Sequence, residues 1–573
     1  MIEVVTNRKW RWRAHLIAAG YMLTAALLIW RAVELQVLDN QFLQDQGDAR
    51  HLRTDVIQAH RGMITARNGE PLAVSTTVDS VWVNPKELQN LDSDLSRLAY
   101  LTGLEPGVLK QKVTERLERD FVYVRRHMSP NDAARITSEE IPGVYLLREY
   151  RRFYPASEVT AHMLGFTNID DEGQEGLELA FDDWLRGRNG AKRVLRDRLG
   201  RTVENVENIR SPEPGKTLVS SIDLRIQYLA YRELKAVIQE NNAKSGSIVV
   251  VDSKTSEILA LANQPSFNPN NRDSLIGEHY RNRAVTDQFE PGSSFKPFPI
   301  AAAIEAGRVT PDTLIDTSPG ILKVGGYAVE DERNYGVIDV TTVLKRSVNV
   351  GASKIALSLK GDYLWSTLTR FGFGSPTGSG LPGESTGKLA HYQRWRPIGQ
   401  ATLAYGYGVA VTPLQLAQAY SIIAEDGVRK PLSILVNNKR PHGESIISAK
   451  TARTVRGMME AVVSSDGTGH RAAVDGYRVA GKTGTARKAI AGGYSTERHV
   501  SIFAGMAPVS DPRLVAVVVI DEPSTGNYYG SVVAAPVFSR VMSGALRLLD
   551  VPPDSNKTLD DEPETIVAAR YTP

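Results

Sequence analysis

From Ala14 to Trp30 the chain reads AHLIAAGYMLTAALLIW, an apolar run without a charged residue, and Arg8, Lys9, Arg11 and Arg13 stand just before it. As a helix this run spans roughly 26 Å, and continuing it through Ala32, Val33 and Leu35 reaches the roughly 30 Å of a bilayer's hydrocarbon core. The pattern predicts one transmembrane helix over residues 14–36. The basic cluster ahead of it predicts that residues 1–13 are cytoplasmic and that the remainder lies across the membrane. No small-x-small cleavage site follows Trp30, which favours an anchor over a removed signal peptide. Trp10, Trp12, Trp30 and His15 stand where interfacial side chains belong.

Residues 37–57 read as a juxtamembrane linker and 58–215 as a first folded region. In AHRGMITARNGEPLAVS, the residues Arg67, Asn68 and Gly69 predict a tight turn between two strands. From about Asp92 to Arg126 the periodicity is amphipathic and helical. YLLREYRRFYP then returns to strand and loop, and GQEGLELAFDDWLRG predicts a short helix. The turn-rich SPEPGK marks the boundary to a second region, 216–549. That region opens with a strand, an Asp at a helix start, a helix with apolar spacing near 3.6, and the hairpin pattern GSIVVVDSKTSEILALAN. Its middle is helix-rich. Near its end YRVAGKTGTA, HVSIFAGMAPV and RLVAVVVIDEP are consecutive strand candidates, the last two joined by Ser510, Asp511 and Pro512 in a turn suited to an antiparallel hairpin. A closing helix places Phe538, Val541, Met542, Ala545, Leu548 and Leu549 on one face. The expected fold is α+β, an antiparallel sheet flanked by helices, preceded by an elongated membrane-proximal module. Residues 550–573, rich in Pro and acid, read as a loose tail.

Composition narrows the function. At 573 residues the chain exceeds one compact core, so two or more domains are expected. With 42% hydrophobic and 23% charged residues and a mean hydropathy of −0.24, the bulk folds and dissolves. Lys and Arg total 68 against 65 Asp and Glu, a balance of +3 that argues against a nucleic-acid partner. The absence of cysteine excludes a disulfide framework, a thiol nucleophile and cysteine-ligated zinc. No His/Glu spacing among the 10 histidines supports a zinc site, so neither metal nor cofactor is expected.

Two motif readings compete for one segment. Gly476 to Thr483 matches a phosphate loop, and Asp521 and Glu522 end a strand as Mg²⁺-holding acids do. A phosphate loop requires Lys482 and Thr483 to open a helix, whereas Gly484, Thr485 and a Gly-broken stretch follow. An extracytoplasmic domain also has no ATP pool. The other reading takes Lys482, Thr483, Gly484 and Thr485 as a strand and looks upstream for partners. Ser293 and Lys296 are spaced as Ser-x-x-Lys after a turn, which puts the amine one helical turn from the hydroxyl, and Ser347 and Asn349 form Ser-x-Asn within a helical stretch. A Ser–Lys pair is a nucleophile with its base, provided burial and a second cation such as Lys482 keep Lys296 partly neutral. Ser347 is placed to relay a proton and Asn349 to orient Lys296 or a substrate amide. Lys482 supplies fixed positive charge for a substrate carboxylate, with hydrogen bonds from the Thr483 and Thr485 hydroxyls. The N–H groups of Ser293 and Thr485 would form an oxyanion hole.

Each motif recurs by chance. Ser385 and Lys388 repeat the Ser-x-x-Lys spacing, but glycines and Pro382 forbid the helix that would align them. Ser129 with Asn131, and Ser266 with Asn268, repeat Ser-x-Asn in Pro-containing loops upstream of Ser293. Pro297 and Pro299 are compatible with the chosen serine only if its helix begins near Ser293.

The ordered set Ser-x-x-Lys, Ser-x-Asn, Lys-Thr-Gly resembles the penicillin-binding proteins and serine β-lactamases. With HRGMITARNGEPLA, YRRFYPASEVTAHMLGF, GQEGLE, EPGSSFKPF, LPGES, YGYGVAVTPLQLAQAY, AGKTGTA and IDEP followed by Tyr528 and Tyr529, the chain resembles class B penicillin-binding proteins, most closely the FtsI-type division transpeptidase. Ala66 and Ala410 depart from the family's usual acid and Ser. The resemblance implies a pedestal of the dimerisation-domain type over 58–215 and a transpeptidase domain over 216–549. It further implies an inner-membrane location with a periplasmic catalytic domain. Ser293 would attack a D-Ala-D-Ala peptidoglycan stem peptide, release D-Ala and pass the acyl group to a neighbouring stem's amine. β-Lactam antibiotics would acylate the same serine. Implied partners are a SEDS-type glycosyltransferase and other division-complex membrane proteins. Thr483, Gly484, Thr485, Tyr528 and Tyr529 are the expected substrate or β-lactam contacts, while Arg487 and His499 read as supporting or surface groups. A hydrolase and a silent scaffold would use the same fold, but no Glu-containing deacylation motif follows Ser347 and a scaffold needs no intact motifs.

Overall fold

A computed structural model describes residues 8–38, 52–196, 202–271, 277–437 and 441–555. The chain divides into two compact units. One comprises Met1–His60, Thr77–Tyr150 and Gly187–Pro214; the other comprises Arg61–Thr76, Arg151–Arg186 and Gly215–Pro573. The span 58–215 thus contributes segments to both.

In the first unit, helix α1 (Arg8–Val33) leaves its apolar side chains exposed, and the stretch Trp12–Gln36 is long and apolar enough to cross a membrane. Strands Leu52–Ile57, Gly190–Arg196 and Thr202–Arg210 form an antiparallel sheet. Elsewhere in this unit the stretch expected to be helical as far as Arg126 breaks. Helix Leu91–Thr102 ends at Gly103 in the left-handed region, Pro106 begins a second helix to Thr114, and Val122–Met128 is a strand. Buried Val122 and Val124 alternate with Tyr123 and Arg125, and this period of two overrides the helical pattern. Both valines pack with Val81, Val83, Leu95, Leu98 and Leu109.

The second unit is built on five strands: β1 (Ser245–Asp252), β2 (Ile258–Gln264), β3 (Ala480–Ile490), β4 (Gly493–Ala507) and β5 (Leu514–Asp521). They lie in the order β2-β1-β5-β4-β3, every neighbour antiparallel. The expected final hairpin pairs Val500 with Asp521 and Ala507 with Leu514. Every residue of β1 is buried, because helices cover both sheet faces. The principal helices are α2 (Leu224–Glu240), α3 (Pro297–Glu305), α4 (Asn349–Leu357), α5 (Pro413–Ala424), α6 (Ala449–Val463) and α7 (Ala535–Leu548). Asp223 caps α2 by accepting from Arg225 N, the Asp anticipated at that helix start. On one face Ile226, Ala230 and Leu234 of α2 and Phe538, Val541 and Met542 of α7 meet Ile248, Val250, Ala516 and Val518. On the other, Val249, Val251, Val515 and Val517 meet Phe298, Leu416, Tyr420 and Met459.

This unit also contains a buried ion cluster. Arg61 donates to Glu178 Oε2 at 2.8 Å and to Asp182 Oδ1 at 2.7 Å, and Arg152 Nε donates to Glu178 Oε1 at 2.6 Å. Arg61, Arg152 and Glu178 come from the HRGM, YRRF and GQEGLE segments, and Asp182 stands four residues after the last.

Candidate active site

Ser293 lies in a single 3-10 turn, Gly292–Phe295, that runs directly into α3. Pro297 and Pro299 therefore fall in the first turn of α3, where no N–H is required of them. The turn is closely hemmed in by backbone. A Cβ on Gly406 would stand 2.3 Å from Gly292 O, and one on Gly484 would stand 2.7 Å from Pro291 O. Gly292 itself has φ +55°. The glycine of Lys-Thr-Gly thus has a steric reason: it lets β3 touch the serine turn.

Lys296 and Lys482 are both fully buried. The Lys296 amine donates to Ser347 O, to Ser347 Oγ at 3.1 Å and to Asn349 Oδ1 at 2.8 Å. Lys482 Nζ, from β3, donates to the same Ser347 Oγ at 3.0 Å and to Thr483 O at 3.1 Å. Burial, reinforced by the Lys482 charge and opposed by Asp331, holds Lys296 well below the usual lysine range. Burial pushes Lys482 down to about 7.

Ser347 is not inside a helix as expected. Helix Val340–Lys345 stops, Ser347 adopts φ +63°, and α4 starts at Asn349. Ser347 N and Val348 N bond back to Leu344 O and Val343 O at 3.2 and 2.9 Å, closing the first helix. A left-handed non-glycine residue costs about 1–3 kcal/mol. Here it turns the Ser347 carbonyl and hydroxyl together onto Lys296.

Thr485 Oγ1 accepts from Gly530 N at 3.0 Å, which leaves its proton free to donate. The Thr483 side chain is buried against Lys482. Tyr528 is sandwiched between His499, at a ring separation of 3.8 Å, and Tyr529, at 4.7 Å. Tyr529 is the exposed end of this stack. Arg487 is exposed and His499 buried. Ser385 accepts from Gln288 Nε2 at 2.6 Å in a loop, and Lys482 sits on a strand rather than at a helix start. Asp521 and Glu522 are ion-paired to Lys488 at 2.9 and 2.7 Å. Among the described residues no cluster of three or more His, Asp or Glu is placed to hold a metal.

Sequence reasoning missed Asp331, whose carboxylate accepts from Asn349 N at 2.5 Å and Val350 N at 3.1 Å. It stands 16 residues before Ser347 in a stretch with no motif of its own. It also missed the glycine contact between Gly406 and Gly292, for which the YGYG spelling was the available signal.

A serine turn, two buried lysines and a Ser-x-Asn turn on the edge of a helix-covered antiparallel sheet place this chain in the penicillin-recognising active-site-serine class. The penicillin binding protein transpeptidase domain matches residues 246–543 and the penicillin-binding protein dimerisation domain matches 56–220. The chain is accordingly a class B penicillin-binding protein of the FtsI type. It is 41% identical over 554 residues to the peptidoglycan D,D-transpeptidase FtsI of Escherichia coli K12, covering 96% of this chain and 94% of that one. Identity is also 41% over 559 residues to the probable peptidoglycan D,D-transpeptidase PbpC of Pseudomonas aeruginosa, covering 98% of each. Among solved structures, the apo transpeptidase domain of Burkholderia pseudomallei penicillin-binding protein 3 is 43% identical. It covers 59% of this chain and 98% of its own, with a TM-score of 0.55. Penicillin-binding protein 3 of Mycobacterium tuberculosis, complexed with aztreonam, is 28% identical, covering 87% and 98%, with a TM-score of 0.68.

Proposed function

We propose that this protein is a membrane-anchored peptidoglycan D,D-transpeptidase that cross-links stem peptides during septal wall synthesis and is acylated by β-lactams. The carrying observation is the desolvated Lys296 amine, hydrogen-bonded to Ser347 and Asn349 one helical turn from the half-buried Ser293.

Ser293 Oγ attacks the carbonyl carbon of the penultimate D-Ala while its proton passes to neutral Lys296. The N–H groups of Ser293 and Thr485 hold the oxyanion. Collapse breaks the C–N bond to the terminal D-Ala, whose amine takes the proton from Lys296 through Ser347. The amine of a neighbouring stem then attacks the acyl-enzyme, gives up a proton along the same path, and returns Ser293 as a hydroxyl. Asn349 holds Lys296 in place. Lys482, when protonated, and the Thr483 and Thr485 hydroxyls receive the donor's carboxylate. β3 is the outermost strand of its sheet, so an extended donor peptide can add along its free edge. Tyr528 and Tyr529 wall that approach. A β-lactam amide enters the same sequence and stops at the acyl-enzyme.

The proposed organisation is a cytoplasmic N-terminus at 1–13, an inner-membrane anchor at 14–36, a linker at 37–57, a pedestal at 58–215, a periplasmic transpeptidase domain at 216–549 and a tail from 550. The part of that tail beyond 555 lies outside the described residues. Proposed partners are a SEDS-type glycosyltransferase and division-complex membrane proteins, supported by FtsI-type relatedness across nearly the whole chain. Ser293→Ala is expected to abolish covalent labelling by a fluorescent penicillin; full labelling of that variant would sink the assignment of the nucleophile. Depletion should give filaments, and rounded cells would instead indicate elongation.

A further inference from the structure

Helices α2 and α7 lie with their buried faces on the same side of the sheet, and where they meet stands a groove of about 810 Å³. A Cβ on Gly544 would stand 2.4 Å from Leu229 Cδ2, so the two helices touch at that glycine and close the groove's floor. Leu224, Tyr228 and Leu229 of α2, Leu548 of α7 and Val159 make the groove apolar, and Tyr228 is 54% exposed. Its charged lining is Arg225, Arg232 and Arg547 against Glu70 alone, a basic rim. Arg225 pairs with Asp223 and Arg232 with Glu233, close neighbours in sequence, while Arg547 pairs with no carboxylate among the described residues.

The chain's own C-terminal segment passes this groove. It leaves α7 at Leu548, one of the groove's walls, and Val551 borders the same hydrophobic cluster as Val159 and Leu548. Asp223 first, then Glu70 and Asp550, favour the Arg225 charge, which places Asp550 near the rim. Val551 O accepts from the Tyr477 hydroxyl at 2.6 Å, Asp554 Oδ1 accepts from Arg478 N at 2.7 Å, and Ser555 N donates to Gly476 O at 3.2 Å. Residues 556–573 follow as NKTLDDEPETIVAARYTP, whose reach is at most about 60 Å. They carry Asp560, Asp561, Glu562 and Glu564 just ahead of Ile566, Val567, Ala568 and Ala569. Acids beside an apolar run are the complement of a basic rim around an apolar floor.

We propose that residues 556–573 dock in the groove between α2 and α7, with the four acids on the arginine rim and the apolar run against Leu224, Tyr228 and Leu548. Because the chain has no cysteine, Ala156→Cys sets a single thiol in the groove's wall. Its rate of reaction with a maleimide is measured in the full chain in detergent, with unchanged labelling by fluorescent penicillin as the check of folding. A tethered segment has an effective concentration in the millimolar range, so docking as weak as about 0.1 mM slows the thiol about 10-fold relative to a chain that cannot dock. The chain that cannot dock combines Asp560→Lys, Asp561→Lys, Glu562→Lys and Glu564→Lys. Adding Arg225→Glu, Arg232→Glu and Arg547→Glu reverses both partners, and slow reaction is expected to return. Equal rates in all three chains overturn the proposal, fast throughout meaning an open groove and slow throughout meaning a groove covered by detergent. Protection that falls on dilution assigns the groove to a second copy of the chain and overturns it too, as does a double reversal that stays fast. Should the double reversal lose penicillin labelling, a synthetic peptide of residues 556–573 decides: added in excess to the four-lysine chain, it must restore slow reaction, and no effect overturns the proposal.

Discussion

Arg61 and Arg152 share one carboxylate, that of Glu178, whereas Lys296 and Lys482 share one hydroxyl, that of Ser347. All four cations are buried in the same unit. A guanidinium does not release its proton inside a protein, so its burial requires an anion at hydrogen-bond distance, and Glu178 and Asp182 provide it. An ammonium does release its proton. Left without a carboxylate in direct contact, it relieves the cost of burial by deprotonating, and Lys482 falls to about 7 while Lys296 is driven well below the usual range. The arginine cluster is a clasp with fixed charges; the lysine pair carries charges that burial makes labile.

Exchanging the two chemistries breaks the comparison most severely. Lys296→Arg installs a permanent cation in a site with no carboxylate in contact, and acylation by fluorescent penicillin is expected to fall by about 10³-fold. Labelling within ten-fold of wild type would mean that a neutral base at 296 is not required. Glu178→Gln leaves two guanidiniums buried without their shared anion, a loss of about 3–5 kcal/mol in urea unfolding of the full chain. A loss below about 1 kcal/mol would show that Asp182 and backbone carbonyls suffice. The third expectation concerns pH. Lys482 titrates near 7 when folded and near 10.5 when unfolded, so between those values the unfolded chain binds the extra proton. Stability therefore rises with pH, by about 2 kcal/mol from pH 7 to 9 for this group. Lys482→Met should flatten that rise, and an identical pH slope in the variant would argue against a neutral buried amine.

Much of this molecule was legible because its elements obey strong local rules. The apolar run of α1, the hairpin from Val500 to Asp521 and the stripe on α7 follow from hydrophobic period alone. The grouping of Lys296, Ser347, Asn349 and Lys482 was readable from motif order and spacing, and hydrogen bonds join the four. What escaped depends on distant parts of the chain meeting. How far Lys482 departs from an ordinary lysine depends on burial, which its neighbours in sequence do not report. The left-handed turn at Ser347 arises where two helices meet, and nothing in Arg-Ser-Val-Asn announces it. The strand at Val122–Met128 had charged residues that fitted a helical face equally well until Val122 and Val124 found a sheet partner. Asp331 reaches Asn349 only because a hairpin packs back on α4.

The glycines around the serine turn have an evolutionary consequence. Gly292, Gly406, Gly484 and Gly530 each meet backbone atoms of a neighbouring segment where a Cβ would stand. A side chain on any of them would push apart the segments packed around the serine turn. Heritable escape from a β-lactam is therefore closed along this inner wall. Change near the turn is left to positions with room to vary, such as the exposed Tyr529, one residue before Gly530.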